Sequence, residues 1–227
     1  MKRFYVNPDC VAGDRVKADA ENFHYLKNVL RVKEGDELIA FDGEGNEYNC
    51  VVDGICSRHI NLHIQQVLDN RVELLAEVCL GQCLMKARNF ELVVEKCTEL
   101  GVRKFIPVVS ERTVVRLGGD RAEKRRLRWQ KIVKESAKQC KRPFCPEVAP
   151  VMKFADVLEE AKSWDIGIIP WEEESRQSLK KVIGGIKNRG RIMVLIGPEG
   201  GWSREEISSA RKYGVIPVSL GRRILRS

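Results

Sequence analysis

One stretch of the sequence, residues 192–207, combines an apolar run, a glycine-rich turn and a helix start, and it reads IMVLIGPEGGWSREEI. The continuous apolar run Ile192–Ile196 is typical of a strand buried on both faces of a parallel sheet. Ser203 and Glu206 form a capping box, which marks where a helix begins. Between them, the glycines of Gly197–Gly201 allow positive φ angles and close approach of a ligand to the backbone. The stretch therefore predicts a strand, a binding loop and a helix, with an ordinary strand-to-helix connection as the alternative.

The loop lacks two known nucleotide-binding patterns. No Lys-Ser/Thr pair follows the glycines as in a P-loop, and their spacing is not Gly-x-Gly-x-x-Gly. The sequence also has no acidic residue about twenty positions later to bind a ribose. Phosphate cradling is therefore not expected, and a nucleotide-dependent oxidoreductase is disfavoured.

The pattern of predicted elements changes near Ala76. Before it, short strands separated by turns indicate a small β-rich barrel or sheet, with a helix over Asn22–Leu30 whose Leu26, Val29 and Leu30 face inward. After it, strands and helices alternate, which indicates a mainly parallel sheet covered on both sides. The predicted strands are Arg3–Val6, Glu37–Phe41, Tyr48–Val52, Ile60–Gln66, Glu77–Leu84, Phe105–Val109, Asp165–Ile169, Arg191–Ile196 and Val215–Ser219.

Four helices besides the basic helix described below are predicted with the later strands. One carries Phe90, Val93, Val94, Cys97 and Leu100 on a single face and ends at Gly101. The others cover Phe154–Ala161, Ser175–Asn188 and Ser203–Tyr213. Ligands of open α/β sheets bind at the carboxyl ends of strands, so the pocket is expected at 170–171, 197–201 and 220–221.

The positive charge is local. The chain carries a net charge of +8, yet Arg103 to Arg142 alone contains fourteen Lys or Arg against four acidic residues. Arg121–Arg142 is predicted as a helix with an apolar stripe that includes Trp129 and Val133. Its other faces display cations with few compensating acids. This favours an acidic partner, most commonly nucleic acid, over a solvated charged face.

The eight cysteines do not suggest a metal or disulfide framework. No Cys-x-x-Cys pair occurs, and His59 and His63 alternate with apolar residues as on a half-buried strand. We therefore expect no metal and treat the cysteines mainly as small core side chains in a reducing compartment. The sequence shows neither a signal peptide nor an apolar run near 18 residues, so a cytoplasmic protein that does not enter membranes is expected.

Two motifs, GPEGG at 197–201 and LGRRILR at 220–226, together resemble the paired signature of the ribosomal RNA small-subunit methyltransferase E family of the SPOUT class. Other stretches agree in order: HYLKNVLRV at 24–32, GD at 35–36, FDG at 41–43, EKCTELGV at 95–102, SER at 110–112 and ESAKQCKR at 135–142. The family continues after its Ile-Leu-Arg with Thr-Glu-Thr-Ala and a closing helix. Here Ser227 follows Arg226, so either a tail is missing or the knot and part of the dimer interface are incomplete.

The resemblance implies a homodimeric enzyme that uses S-adenosylmethionine to methylate N3 of one uridine in 16S ribosomal RNA of the assembled small subunit. It implies an α/β fold with a SPOUT-type trefoil-knotted parallel sheet and helices on both faces, preceded by a small PUA-like β-barrel domain. The domains would be 1–70, a PUA-like RNA-binding barrel, and 71–227, the methyltransferase domain.

Site residues follow from the loops, the charges and the resemblance. Glu199 is a candidate base or ligand of the methionine amine, with a helix cap as the alternative, and Arg226 a candidate for stabilising the uridine anion. The cofactor is expected at Ile169, Pro170, Ile196, Gly197, Pro198, Glu199, Gly200, Gly201, Leu220, Gly221, Ile224 and Leu225. RNA contacts are expected from Arg3, Arg31, Arg112, Lys124, Arg125, Arg128, Lys131, Lys134 and Arg142, for which surface or structural ion pairs are the alternative.

A different class of function stays open from the sequence. A non-catalytic RNA-binding protein would share the barrel and the basic helix but bind no cofactor. The glycine-rich loop at the end of a buried strand argues against it, since a pure binder has no need for that loop. The identity of the uridine, and whether free RNA is a substrate, do not follow from the residues.

Overall fold

The computed structural model describes residues 2–69, 72–115, 117–185, 190–223 and 225. The chain folds as two compact units. The N-terminal unit comprises Met1–Glu73 and Val133–Cys145, and the C-terminal unit comprises Leu74–Ile132 and Pro146–Ser227. The N-terminal unit is therefore discontinuous in sequence.

The N-terminal unit contains a six-stranded sheet in the order β1-β4-β5-β6-β3-β2. Its strands are β1 (Lys2–Tyr5), β2 (Val11–Ala12), β3 (Arg15–Ala18), β4 (Glu37–Phe41), β5 (Glu47–Ile55) and β6 (Ile60–Leu68). β1 and β4 pair in parallel and the other neighbours are antiparallel. Phe4, Leu38, Ile60 and Leu62 are buried in one core with Leu26. The predicted β-rich character of this region is confirmed, with β2 and β3 as additional short strands.

The predicted helix over Asn22–Leu30 consists of two parts. Helix α1 (Ala20–His24) is capped by the Asp19 side chain, and one π-helical turn follows over Tyr25–Val29. Leu26 faces the core as predicted, but the inward orientation of Val29 is wrong, because Val29 is 61% exposed. A π-helical turn places side chains differently from the 3.6-residue period on which the prediction rests.

The C-terminal unit contains a parallel sheet in the order β10-β8-β7-β12-β11-β13, with β9 beside β8. Its strands are β7 (Glu77–Cys83), β8 (Lys104–Val109), β9 (Glu147–Val148), β10 (Met152–Lys153), β11 (Ile166–Pro170), β12 (Arg191–Ile196) and β13 (Val215–Val218). Its helices are α2 (Ala87–Glu99), α3 (Gly119–Gln139, whose last residues belong to the N-terminal unit), α4 (Phe154–Ala161), α5 (Leu179–Ile183) and α6 (Arg204–Lys212).

Helices flank this sheet, as the alternating pattern predicts. Apolar residues of α4 and α6 form one core with Met193, Leu195 and other inward residues of the strands. Helices α2 and α3 pack through Phe90 and Trp129, whose ring centroids are 4.3 Å apart. Both rings are buried, so the apolar faces of the two helices meet each other.

Three predicted helix details are wrong or shifted. Leu100 is 73% exposed rather than inward, because the helix ends at Glu99 and Gly101 follows with φ of +100°. The basic helix runs from Gly119 to Gln139 instead of Arg121 to Arg142, since Lys141 adopts a left-handed φ of 63°. Helix α5 begins at Leu179, after an N-cap at Ser178, and not at Ser175. Among the described residues, no helix is long and apolar enough to cross a membrane.

Candidate functional site

Three loops begin at one edge of the parallel sheet. Strands β12, β11 and β13 are neighbours and run in parallel, so their carboxyl ends lie side by side. Gly197–Gly201 follows β12, Trp171 follows β11, and Ser219–Gly221 follows β13. We call these segments the three-loop edge. This placement agrees with the expectation from the strand order, and it is where open α/β sheets bind ligands.

The glycine-rich loop is a tight turn with little room for side chains. The Gly201 N–H donates to the Pro198 carbonyl at 2.9 Å, and Gly201 has φ of +68°, which favours glycine. A Cβ atom at Gly197 would lie 3.1 Å from the Trp202 indole. A Cβ atom at Gly200 would lie 3.3 Å from the Arg112 Cβ atom. The glycines of the loop therefore present backbone rather than side chains.

The helix after the loop begins as predicted. The Ser203 hydroxyl accepts from the Glu206 N–H at 3.2 Å, and Glu206 Oε2 accepts from the Ser203 N–H at 3.0 Å. Glu206 Oε1 also accepts from the Glu111 N–H at 2.8 Å. The capping box thus connects the helix start to the segment after β8. Because Ser203 caps α6, the helix-cap alternative for Glu199 is not supported.

Arg112 lies beside the glycine-rich loop. Its Nη1 donates to the Gly200 carbonyl at 3.0 Å, and its side chain is exposed. From the sequence, a phosphate contact is expected for this arginine, with a surface or structural role as the alternative. The structure places its charge next to Gly200, at the three-loop edge.

The turn after β13 is held by a hydroxyl group. Ser219 Oγ accepts from the Gly221 N–H at 3.2 Å and donates to the Gly221 carbonyl at 3.3 Å. Gly221 has φ of +118°, and no atom lies within 4 Å of a Cβ atom built on it. Leu220 and Leu225 expose apolar side chains. The remaining predicted residues of this segment, Ile224 and Arg226, lie outside the described residues.

The other predicted cofactor residues differ in accessibility. The Ile169 side chain is fully buried in the core, so only its backbone is available to a ligand. The expectation that Ile169 contacts a cofactor therefore concerns its backbone. Pro170 and Ile196 are half-buried at the ends of their strands, whereas Pro198 is buried and Glu199 is exposed.

Two residues at this edge were missed by the sequence analysis. The Glu172 carboxylate lies next to Gly201, since a Cβ atom there would be 3.0 Å from Glu172 Oε1. Gln82 is buried at the end of β7, opposite Ile196 in the sheet register. Among the described residues, neither Glu172 nor Glu199 makes an ion pair, so the three-loop edge offers two exposed carboxylates. The position of Glu172, one residue after the Pro170-Trp171 strand end, was the available signal.

The cations of α3 within the C-terminal unit form a basic face, defined as Lys124, Arg125, Arg128 and Lys131. Lys124, Arg128 and Lys131 are exposed and Arg125 is half-buried. Glu91 on α2 partly compensates them: it pairs with Arg128 at 2.7 Å and lies 4.0 Å from Arg125. The sequence pattern of one helix could not reveal this acid on its neighbour. Lys134, in the N-terminal unit, lies over the Tyr5 ring at 4.3 Å.

Arg3 and Arg142 are engaged inside the N-terminal unit. Arg3 Nε pairs with Glu47 at 2.7 Å, and its other nitrogens donate to the carbonyls of Ala137, Lys138 and Arg142. Arg142 is 4% exposed and makes a bidentate pair with Glu73 at 2.9 and 2.6 Å. The contacts of both arginines are those of the structural ion-pair alternative. Arg31 is exposed, with a left-handed φ of 50°.

The cysteines are free thiols in the structure. Burial raises the pKa of Cys50 and Cys145 to about 11 and that of Cys83 to about 12. Within the described parts of the chain, no group of three or more His, Cys, Asp or Glu residues is arranged to hold a metal ion. Cys50, Cys79 and Cys83 are completely buried and pack as small core side chains.

Comparisons with known proteins identify the family. Residues 72–227 match the RNA methyltransferase domain, and residues 18–65 match the RNA methyltransferase PUA domain. Ribosomal RNA small subunit methyltransferase E of Bacillus subtilis (strain 168) is 30% identical over 211 residues, which cover 91% of this chain and 82% of the relative. That of Synechocystis sp. is 31% identical over 226 residues, which cover 99% and 73%.

A solved structure agrees. Ribosomal RNA small subunit methyltransferase E from Neisseria gonorrhoeae, bound to S-adenosyl methionine, has a TM-score of 0.84 and 32% identity, covering 100% of this chain and 92% of that one. The two proteins thus share their fold over almost the whole length of both chains. The chain belongs to the ribosomal RNA small subunit methyltransferase E family.

Proposed function

We propose that this protein uses S-adenosylmethionine to methylate N3 of one uridine in 16S ribosomal RNA of the small subunit. The observation that carries the proposal is the three-loop edge, in a chain whose relatives are named as small subunit rRNA methyltransferases. The structurally similar enzyme from Neisseria gonorrhoeae is bound to S-adenosyl methionine. The uridine and its N3 atom come from the sequence resemblance.

The residues of the three-loop edge fit this cofactor. Backbone N–H and C=O groups of Gly197–Gly201 and Ser219–Gly221 suit the polar edge of adenine. The exposed Leu220 and Leu225 supply apolar contact area. A Cβ atom at Gly221 would meet no protein atom, so this turn leaves space for a ligand. Exposed carboxylates at Glu172 and Glu199 suit the positive charges of a sulfonium and an amine.

The chemistry requires removal of one proton and one in-line transfer. S-adenosylmethionine held at the three-loop edge would supply the methyl group, with the N3–CH₃ bond forming as the S–CH₃ bond breaks and the bonding electrons returning to sulfur. Glu199 accepts the imide proton of the uridine, and Glu172 holds positive charge of the cofactor. Arg226, outside the described residues, stabilises the uridine anion. A positioned base contributes roughly 10²–10⁴-fold, and orientation contributes of order 7–11 kcal/mol in well-aligned cases.

The RNA is held by cations elsewhere on the protein. The basic face and the exposed Arg31 contact phosphates. Residues 1–70 act as the PUA-like RNA-binding domain and residues 71–227 as the methyltransferase domain, although Val133–Cys145 of the latter belongs to the N-terminal unit. Like the family it resembles, the protein works in the cytoplasm as a homodimer whose parallel sheet carries the trefoil knot. A non-catalytic RNA-binding protein is the second candidate, and cofactor binding distinguishes the two.

The test is calorimetric titration with S-adenosylmethionine and, separately, with NAD. It is followed by mass spectrometry of 16S ribosomal RNA in small subunits incubated with protein and cofactor. We expect binding of S-adenosylmethionine alone and one methylated uridine whose methyl group is on N3. Binding of NAD, or RNA binding without any cofactor affinity, would reject the proposal.

A glycine variant tests the position of the cofactor. Gly200→Val adds a branched side chain against Arg112 and disturbs the loop, so affinity for S-adenosylmethionine should fall at least tenfold while the circular dichroism spectrum is retained. Gly54→Val is the matched control, because Gly54 is on β5, has no positive φ and has no atom within 4 Å of its Cβ position. Normal cofactor binding by a folded Gly200→Val protein would place the cofactor elsewhere.

A further inference from the structure

A cavity of about 530 Å³ opens at the carboxyl end of β8, outside the three-loop edge. Val109, Leu117 and Met152 give it apolar walls. Ser110 and Thr113 also line it, with their hydroxyl oxygens 2.9 Å apart and both side chains buried. Cavities of roughly 300–1,000 Å³ with a few placed polar groups are typical binding sites for small ligands. The apolar walls suit the faces of a flat ring, and the two hydroxyl groups suit a polar edge of that ring.

The cavity is joined to the glycine-rich loop by one short turn. The Thr113 N–H donates to the Ser110 carbonyl at 3.2 Å, which closes the turn. Arg112, inside this turn, donates to the Gly200 carbonyl. Consecutive Cα atoms are about 3.8 Å apart. A residue that lines the cavity is therefore the direct neighbour of the residue that contacts the loop.

Helix α3 separates the cavity from the basic face. Gly119, Ala122, Glu123 and Arg126 line the cavity, and this spacing of three and four residues defines one side of the helix. The basic face occupies other positions of the same helix. A strand of RNA that follows the basic face would thus lie about one helix diameter, roughly 10–12 Å, from the cavity.

The interior of the cavity suits a base better than a phosphate. Arg126 Nε and Nη2 are held by the two oxygens of Glu123 at 2.8 and 2.6 Å. Its charge is therefore already balanced. Among the described residues of the lining, the exposed Lys153 is the other cation.

We propose that this cavity receives the base of a nucleotide next to the methylated uridine. This inference rests on the proposed function. It states that the cavity binds the base that flanks the methylated uridine in the RNA. The reacting base itself has to reach the glycine-rich loop, so the base in the cavity is a flanking one. RNA is read mainly where unpaired bases can be splayed out, and apolar walls with hydroxyl groups at one end recognise such a base.

S-adenosylmethionine also carries a nucleobase, adenine, whose chemistry would fit the same cavity. The experiment separates the two by measuring both affinities. Ala122→Phe fills the cavity from α3 with a larger apolar side chain. Leu127→Phe is the matched control, since Leu127 is exposed on the same helix and does not line the cavity. The probes are 16S ribosomal RNA transcribed in vitro, at about 200 mM salt, and S-adenosylmethionine in calorimetry.

We expect Ala122→Phe to weaken RNA binding at least tenfold and to leave cofactor affinity within twofold of the wild type. Leu127→Phe should change neither. Unchanged RNA binding by a folded Ala122→Phe protein overturns the inference, and so does a loss of cofactor affinity alone, which would assign the cavity to adenine.

Two further readouts keep the result interpretable. If Ala122→Phe does not fold, Ser110→Ala removes a hydroxyl without adding volume and should weaken RNA binding roughly 2–10-fold, the range for one hydrogen bond. Wild-type affinity in that variant counts against the inference. A wild-type protein that binds RNA and never methylates it would reject the proposed function, while the binding comparison still decides the inference.

Discussion

Glu206 is expected to stabilise the C-terminal unit more than any other acidic residue of α6. It is 8% exposed, and its two oxygens accept from the backbone N–H groups of Ser203 and Glu111. Glu206→Ala leaves both donors without this acceptor. One buried unsatisfied donor costs about 1–3 kcal/mol, and a carboxylate at a helix start contributes about 0.3–1 kcal/mol. We expect the free energy of unfolding to fall by about 3 kcal/mol.

Two further variants separate the contribution of the Glu206 hydrogen bonds from that of its charge. Glu206→Gln keeps one carbonyl oxygen and loses the charge, so the loss should be about 1–2 kcal/mol. Glu205→Ala is the control: Glu205 is an exposed acid in the same turn, and its removal should cost at most about 1 kcal/mol through the helix dipole.

Urea unfolding followed by tryptophan fluorescence measures these changes. All four tryptophans of the sequence, at positions 129, 164, 171 and 202, belong to the C-terminal unit, so the signal reports that unit. If Glu206→Ala and Glu205→Ala unfold at the same urea concentration, the two hydrogen bonds of Glu206 do not contribute as the structure indicates.

Three other outcomes are expected. Replacing Lys124, Arg128 and Lys131 of the basic face with Gln should reduce the slope of log RNA affinity against log salt by about 0.7–0.9 for each lost phosphate contact. Cofactor affinity should not change. An unaltered slope would show that the basic face is only solvated and does not contact RNA. Glu199→Gln should slow single-turnover methylation by roughly 10²-fold, and the rate should partly recover as pH rises, because the uridine then ionises without a base. If Glu172→Gln shows this behaviour instead, Glu172 is the base and Glu199 holds the positive charge of the cofactor. Burial raises the pKa of the Cys50 thiol to about 11 from an ordinary value of 9.0. Between these pH values the unfolded chain loses the thiol proton while the folded chain keeps it, so the free energy of unfolding should fall as pH rises. If urea titrations show the same fall between pH 9 and pH 11 for a Cys50→Ala variant, other groups cause it.

Local patterns predicted local structure well. The start of α6 followed from Ser203 and Glu206, and the end of α2 from Gly101, because capping depends on residues three or four positions apart. The strand order of the C-terminal unit brought the three loops to one edge, as α/β alternation predicts. These inferences needed only the spacing of residue types along the chain.

Contacts between distant segments were not predictable in this way. Periodicity showed that α3 has an apolar side, but not that its last turns pack in the N-terminal unit. The sequence likewise could not show that Arg142 pairs with Glu73, 69 positions earlier, or that Glu172 lies beside Gly201. Each of these pairs depends on how separate elements pack, and a charged residue alone does not reveal whether its partner is RNA or another side chain.

The discontinuous N-terminal unit has a consequence for synthesis on the ribosome. Arg3 emerges early, but the carbonyls that it binds, at Ala137, Lys138 and Arg142, emerge only after the first strands of the C-terminal unit. The interval of 134 residues between Arg3 and Ala137 takes about 7–27 s at about 5–20 residues per second. The first domain to be translated therefore cannot be completed first, and a fragment ending at Glu73 would lack part of its own structure.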